Sequence, residues 1–63
     1  MNPRYTIHAD GRVIGSALNA REAQRRAHSH CVATGCRKVE ILDARAGTIR
    51  VFEHDGRTMK ELS

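Results

Sequence analysis

His28, His30, Cys31 and Cys36 stand within the nine residues HSHCVATGC, and imidazole and thiolate are the groups that ligate zinc or exchange disulfides. Zinc chemistry needs four ligands converging on one point, and two ligands from one helix converge when they are three or four residues apart. His28 and His30 are two apart, about 200° around a helix, so they diverge. His28 and Cys31 have the required spacing, but a helical wheel puts Cys31 on the inward stripe and His28 on its flank. No second CxxC or HxxxH pair completes a site. The stretch predicts neither a metal nor a cofactor.

A helix ending accounts for the cysteine spacing. With Gly35 as the left-handed residue after the helix, Cys31 and Cys36 take the C3 and C″ positions, which touch in a Schellman ending. Free cysteine packs there as a small hydrophobe. A reversible disulfide is the alternative, because the same contact brings the sulfurs together.

The chemistry of an enzyme is missing from the pattern. Nucleophilic catalysis needs a nucleophile, a base and an orienting group, and Cys31 is turned inward. Gly15-Ser16 is followed by Ala17 and Leu18, so GxSxG is absent, and the five glycines are scattered singly. Acidic residues are dispersed. A chain of 63 residues buries only about 60% of its unfolded surface and encloses a pocket with difficulty. The reading is a non-enzymatic protein, a single small domain over 1–63 with residues 57–63 as a short strand or a frayed tail.

The elements that position these residues follow from periodicity and turn chemistry. YTIHADGRVIGSAL is a hairpin, because Asp10-Gly11 suits a two-residue type I′ turn. That turn sets Ala9 opposite Arg12 and Ile7 opposite Ile14, with Tyr5, Ile7, Ile14 and Leu18 inward and Arg4, Thr6, His8 and Val13 outward. LNAREAQRRAHSHCVATG is a helix capped by Asn19, with Glu22 at the capping-box position and Leu18 and Ala23 as a hydrophobic staple. Its inward stripe is Ala20, Ala23, Ala27, Cys31 and Thr34, and Gly35 stops it. CRKVEILDA and TIRVFEH are two more strands around a loop containing Gly47. If Val39 and Ile41 face inward with Ile49 and Val51, then Lys38, Glu40, Leu42, Arg50, Phe52 and His54 face outward. A four-residue loop instead pairs Leu42 with Ile49 and changes this assignment, which leaves the second hairpin's register open. The fold class is α+β, a two-layer ββαββ arrangement with one helix on an antiparallel four-stranded sheet.

Charge points to a partner. Eleven Lys+Arg, nine of them Arg, stand against seven Asp+Glu for a net +4, and residues 1–38 carry seven basic and two acidic residues. Such a half suits nucleic acid or an acidic protein surface, while ordinary solubilising charge gives the same count. Two surfaces are candidates. The outer helix face carries Arg21, Gln24, Arg25, Arg26 and His28, a row able to track phosphates. The uncovered sheet face is predicted to carry Arg4, His8, Lys38, Arg50, Phe52 and His54, where one aromatic among basic groups could stack a base. Val13, Leu42 and Phe52 could equally form an apolar patch that pairs two subunits.

No apolar segment of signal-peptide or membrane-spanning length is present, which predicts a cytoplasmic protein with reduced cysteines and no membrane partner. Two functions follow: a nucleic-acid-binding module, or a protein-binding adaptor or inhibitor of bacterial, phage or mobile-element type, homodimeric and without a nucleic-acid role.

Overall fold

The first hairpin turns where Asp10 and Gly11 both take positive φ, 54° and 76°, as a type I′ turn requires. It joins β1 (Tyr5–Ala9) to β2 (Arg12–Ala17). The computed structural model describes residues 3–62, so the termini of the predicted 1–63 domain, including Ser63 of its expected tail, lie outside the described residues. The chain continues through α1 (Ala20–Thr34), β3 (Lys38–Asp43), β4 (Thr48–His54) and β5 (Met59–Glu61). The sheet has five strands in the order β2-β1-β3-β4-β5, every neighbour antiparallel. This is the predicted α+β class with one strand more than the four expected. The fifth is the tail: Asp55 accepts from the Arg57 and Thr58 N–H groups, both at 2.8 Å, an Asx turn that returns the chain onto β4.

The helix begins and ends on local signals. The Asn19 side chain accepts from the Glu22 N–H at 2.8 Å, satisfying one orphan donor. Glu22 does not complete the capping box; its carboxylate takes Arg26, one turn on, at 2.9 Å. Leu18 is 61% exposed, so of the predicted staple only Ala23 joins the core. At the other end Gly35, at φ 75°, donates to the Cys31 carbonyl at 2.8 Å. This is the simpler left-handed ending with one bond, in place of the Schellman pair. The Cys36 N–H turns to Thr34 Oγ1 at 3.3 Å instead.

Ala23, Ala27 and Cys31 are the buried helix residues, and such small side chains let α1 lie close on the sheet. The sheet supplies the bulk: Tyr5, Ile7, Val39, Ile41 and Phe52 are buried beneath it. Two registers depart from the simple alternation. A β-bulge between Ile7 and His8 sets Ile7 opposite Gly15, so Ile14 is the extra residue, Tyr5 pairs with Ala17, and Ala17 rather than the expected Leu18 is buried. In the second hairpin, Asp43 pairs with Thr48 and Leu42 with Ile49. The loop is therefore four residues long, and β4 presents Phe52 and His54 to the core, with Ile49 and Val51 outward.

Asp43 holds that loop. Its carboxylate accepts a fork from Arg4, Nε at 3.1 Å and Nη2 at 3.0 Å, and also the N–H groups of Arg45 and Ala46 at 3.0 and 3.2 Å. The Arg4 guanidinium, with the Ala46 and Arg45 N–H groups, holds this carboxyl at about 2. Gly47, at φ 70°, closes the loop onto the Asp43 carbonyl at 2.8 Å. Among the described residues no helix is long and apolar enough to cross a membrane.

Candidate binding surfaces

The second hairpin's register decides which predicted site residues reach a partner. Because side chains alternate along a strand, a one-residue slip moves a whole set across the sheet. Phe52 is 4% exposed and His54 is 2% exposed, so both belong to the core and not to the open face. Arg50 shares their side. Its guanidinium lies 5.4 Å from the Phe52 ring centroid and donates from Nε to Glu61 at 2.8 Å, an ion pair across β4 and β5. Arg4 is bound to Asp43 and lies 5.1 Å over the Tyr5 ring. Of the six residues assigned to a basic sheet face, His8 and Lys38 are the two that occupy it. His8 is half-buried with Nε2 3.1 Å from Thr6 Oγ1, and Lys38 is exposed opposite Glu53.

The open face therefore has a different composition. Its cross-strand rows read Ser16–Thr6–Leu42–Ile49, then Val13–His8–Glu40–Val51, then Lys38–Glu53–Lys60. Leu62 extends the middle row, its N–H donating to the Val51 carbonyl at 2.8 Å. Five aliphatic side chains lie on it, of which Val13, Ile49 and Leu62 are 63%, 57% and 51% exposed. Its full charges are Lys38 and Lys60 against Glu40 and Glu53. The face is neutral and aliphatic, without a Phe, Tyr or Trp to stack a base.

The helix side keeps the arginines predicted for it. Arg21, Arg25 and Arg26 are all exposed. Arg26 is tied to Glu22, which leaves Arg21 and Arg25, one turn apart, as the guanidiniums with no ion-pair partner among the described residues of this face.

His28 is half-buried and turns from that row towards the buried His54. The Gly56 N–H donates to His54 Nδ1 at 3.0 Å, so the proton of this ring sits on Nε2. That nitrogen lies 3.0 Å from His28 Nδ1 and donates to it, with ring centroids 4.9 Å apart. The opening stretch thus sends a histidine to a partner 26 residues away. Beside this pair, a small cavity of about 110 Å³ is lined by Cys31, Gly35, Cys36, Arg37, His54 and Gly56. Both cysteines are free thiols. Burial, and then the neighbouring Cys36 thiol, push Cys31 up to about 11, while Cys36 Sγ donates to the Lys38 carbonyl at 3.2 Å. Among the described residues no buried side-chain nitrogen or oxygen lacks a hydrogen-bond partner. No group of three or more His, Cys, Asp and Glu among the described residues is arranged to hold a metal ion.

Two features escape a reading of the strand pattern. Ile49, Val51 and Leu62 are surface residues, hidden because β4 has apolar residues on both faces. Arg37 and Arg45, beyond the two opposite ends of β3, are exposed as well, and only a residue-by-residue charge count singles them out. The chain matches no protein-family model, no curated protein and no solved structure.

Proposed function

We propose that this chain is a small non-enzymatic binding module of the reducing cytosol, and that it binds nucleic acid through phosphate contacts made from its helix side. The observation that carries the reading is where the charge excess lies. Three cations are neutralised in ion pairs: Arg4 with Asp43, Arg26 with Glu22 and Arg50 with Glu61. Arg12 shares its turn with Asp10, and Arg57 shares its turn with Asp55. Lys38 and Lys60 share the sheet face with Glu40 and Glu53. The remaining four cations are Arg21 and Arg25 on the helix, Arg37 just after it and Arg45 in the β3–β4 loop, and they account for the whole net charge of +4.

Guanidinium groups suit phosphate because each offers a planar fork of donors. Phosphate contacts carry no sequence information by themselves. With Tyr5 and Phe52 buried, no base-stacking platform accompanies them. The expected binding is sequence-tolerant, of low affinity and strongly dependent on salt. The Cys31 thiol, buried and protonated at neutral pH, supports the non-enzymatic part.

Fluorescence anisotropy with labelled single- and double-stranded oligonucleotides, repeated over a series of salt concentrations, tests the reading. Binding that weakens linearly on a log–log plot supports it. No binding at low salt removes it. A second reading, a protein-binding adaptor, draws on the aliphatic rows of the open sheet, because exposed apolar patches of this kind mark protein contacts.

A further inference from the structure

We propose that the uncovered sheet face is a homodimer interface, on which a second copy of the chain packs to make a helix–sheet–sheet–helix sandwich. The inference rests on the sheet alone and is independent of the nucleic-acid reading.

One side of the sheet is closed by α1; the other carries Val13, Leu42, Ile49, Val51 and Leu62 with no covering layer among the described residues. A single helix on a five-stranded sheet gives a small domain that gains from further apolar burial, and pairing two such sheets face to face is a standard way to obtain it. Leu42 and Ile49 are cross-strand neighbours, as are Val51 and Leu62, so these four form one contiguous cluster rather than scattered exposures.

Charge selects the occupant. Each chain carries +4, so two copies repel each other through most orientations. The sheet face is the exception, because Lys38 and Lys60 are balanced there by Glu40 and Glu53. A self-complementary contact needs a patch of both signs and no net charge, and this face is one. An acidic partner, by contrast, would be drawn to the arginines on the helix side.

Size is sufficient for a reversible dimer. Five strands and a six-residue β3, at about 4.8 Å between strands and about 3.3 Å per residue, make a face of about 24 by 20 Å. Two such faces in contact remove on the order of 1,000 Å² of surface, about the minimum for a specific interface and below the roughly 1,600 Å² of standard ones. The edges of the sheet are poor alternatives. β2 carries the bulge at Ile14 and β5 is three residues long with Lys60 and Glu61, both devices that discourage strand addition.

Sedimentation equilibrium of the full chain across about 10 μM to 1 mM tests the proposal. The weight-average mass is expected to rise from 7.0 kDa towards twice that value. Ile49→Lys and Leu62→Lys should each raise the dissociation constant about tenfold or more, with Arg21→Gln leaving it unchanged. If the lysine variants unfold, methyl NMR of the wild type with a soluble relaxation agent decides. Ile49, Val51 and Leu62 should be shielded relative to Val32, which is 59% exposed on the helix. A chain-mass species at every concentration overturns the proposal. So does a dimer that both lysine variants leave intact, or sheet methyls relaxed as strongly as Val32. Loss of oligonucleotide binding in Arg21→Gln with the dimer preserved separates the two readings.

Discussion

Phe52→Ala tests the register on which the open sheet face depends. The ring is 4% exposed beneath the helix layer, whereas Ile49 on the same strand is 57% exposed. Removing a buried Phe side chain costs about 3–5 kcal/mol, from lost burial and the cavity left behind. A domain of 63 residues, at roughly 0.05–0.15 kcal/mol per residue, has about 3–9 kcal/mol in total. Phe52→Ala should therefore remove at least about a third of that stability. Ile49→Ala loses mainly strand propensity and costs about 1 kcal/mol or less. At about 4–8 °C per kcal/mol for a domain of this size, the Phe52 variant should melt at least about 12 °C below the wild type. The Ile49 variant should melt within about 8 °C of it. Far-UV circular dichroism in urea and on heating measures both, at a dilution where sedimentation gives the mass of a single chain. Equal costs, or a larger cost for Ile49→Ala, would refute the register and with it the neutral, aliphatic sheet face.

Two further predictions concern pH. The Asp43 carboxyl is held at about 2 by the Arg4 fork and the Ala46 and Arg45 N–H groups, against 3.8 ordinarily. The unfolded chain takes up this proton first, so the contribution is whole above pH 3.8 and is lost as pH falls towards about 2. Asp43→Asn should flatten the urea midpoint across that window, and an unchanged profile counts against the clamp. Cys31 behaves oppositely: burial, then Cys36, raise its thiol from 9.0 to about 11. The unfolded chain loses that proton first, so stability declines as pH rises from 9.0 to about 11, and Cys31→Ala should remove the decline. In a native thiol titration Cys36 should react fast and Cys31 only on opening; equal fast reaction of both contradicts the packing.

Local signals were legible in the sequence, and pairings between distant residues were not. Asp10-Gly11, Asn19 and Gly35 act within a few residues, and the type I′ turn, the helix start and the helix stop all lie where their chemistry puts them. Strand β4 could not be oriented this way. TIRVFEH alternates apolar residues on both faces, with Ile49 and Val51 on one and Phe52 with His54 on the other. Either face could serve as core by pattern alone. What decides is Asp43, which fixes a four-residue loop while bound to Arg4, 39 positions away. Setting Ile49 and Val51 inward carries His54 outward with Phe52 by alternation; its partner His28 is 26 positions away. The bulge at Ile14 is likewise a sheet-level adjustment. The positive helix face survived because exposed arginines on a helix need no register to place them.

The salt dependence of nucleic-acid binding tests the central claim most directly. Slopes of log Kobs against log salt should be compared for the wild type, Arg21→Gln/Arg25→Gln and Lys38→Gln/Lys60→Gln. Each lost phosphate contact lowers the slope by about 0.7–0.9, so the helix pair should lower it by about 1.4–1.8. The sheet pair, balanced in place by Glu40 and Glu53, should leave it unchanged. A slope that falls with the sheet pair, or stands unchanged with the helix pair, contradicts a nucleic-acid surface on the helix side.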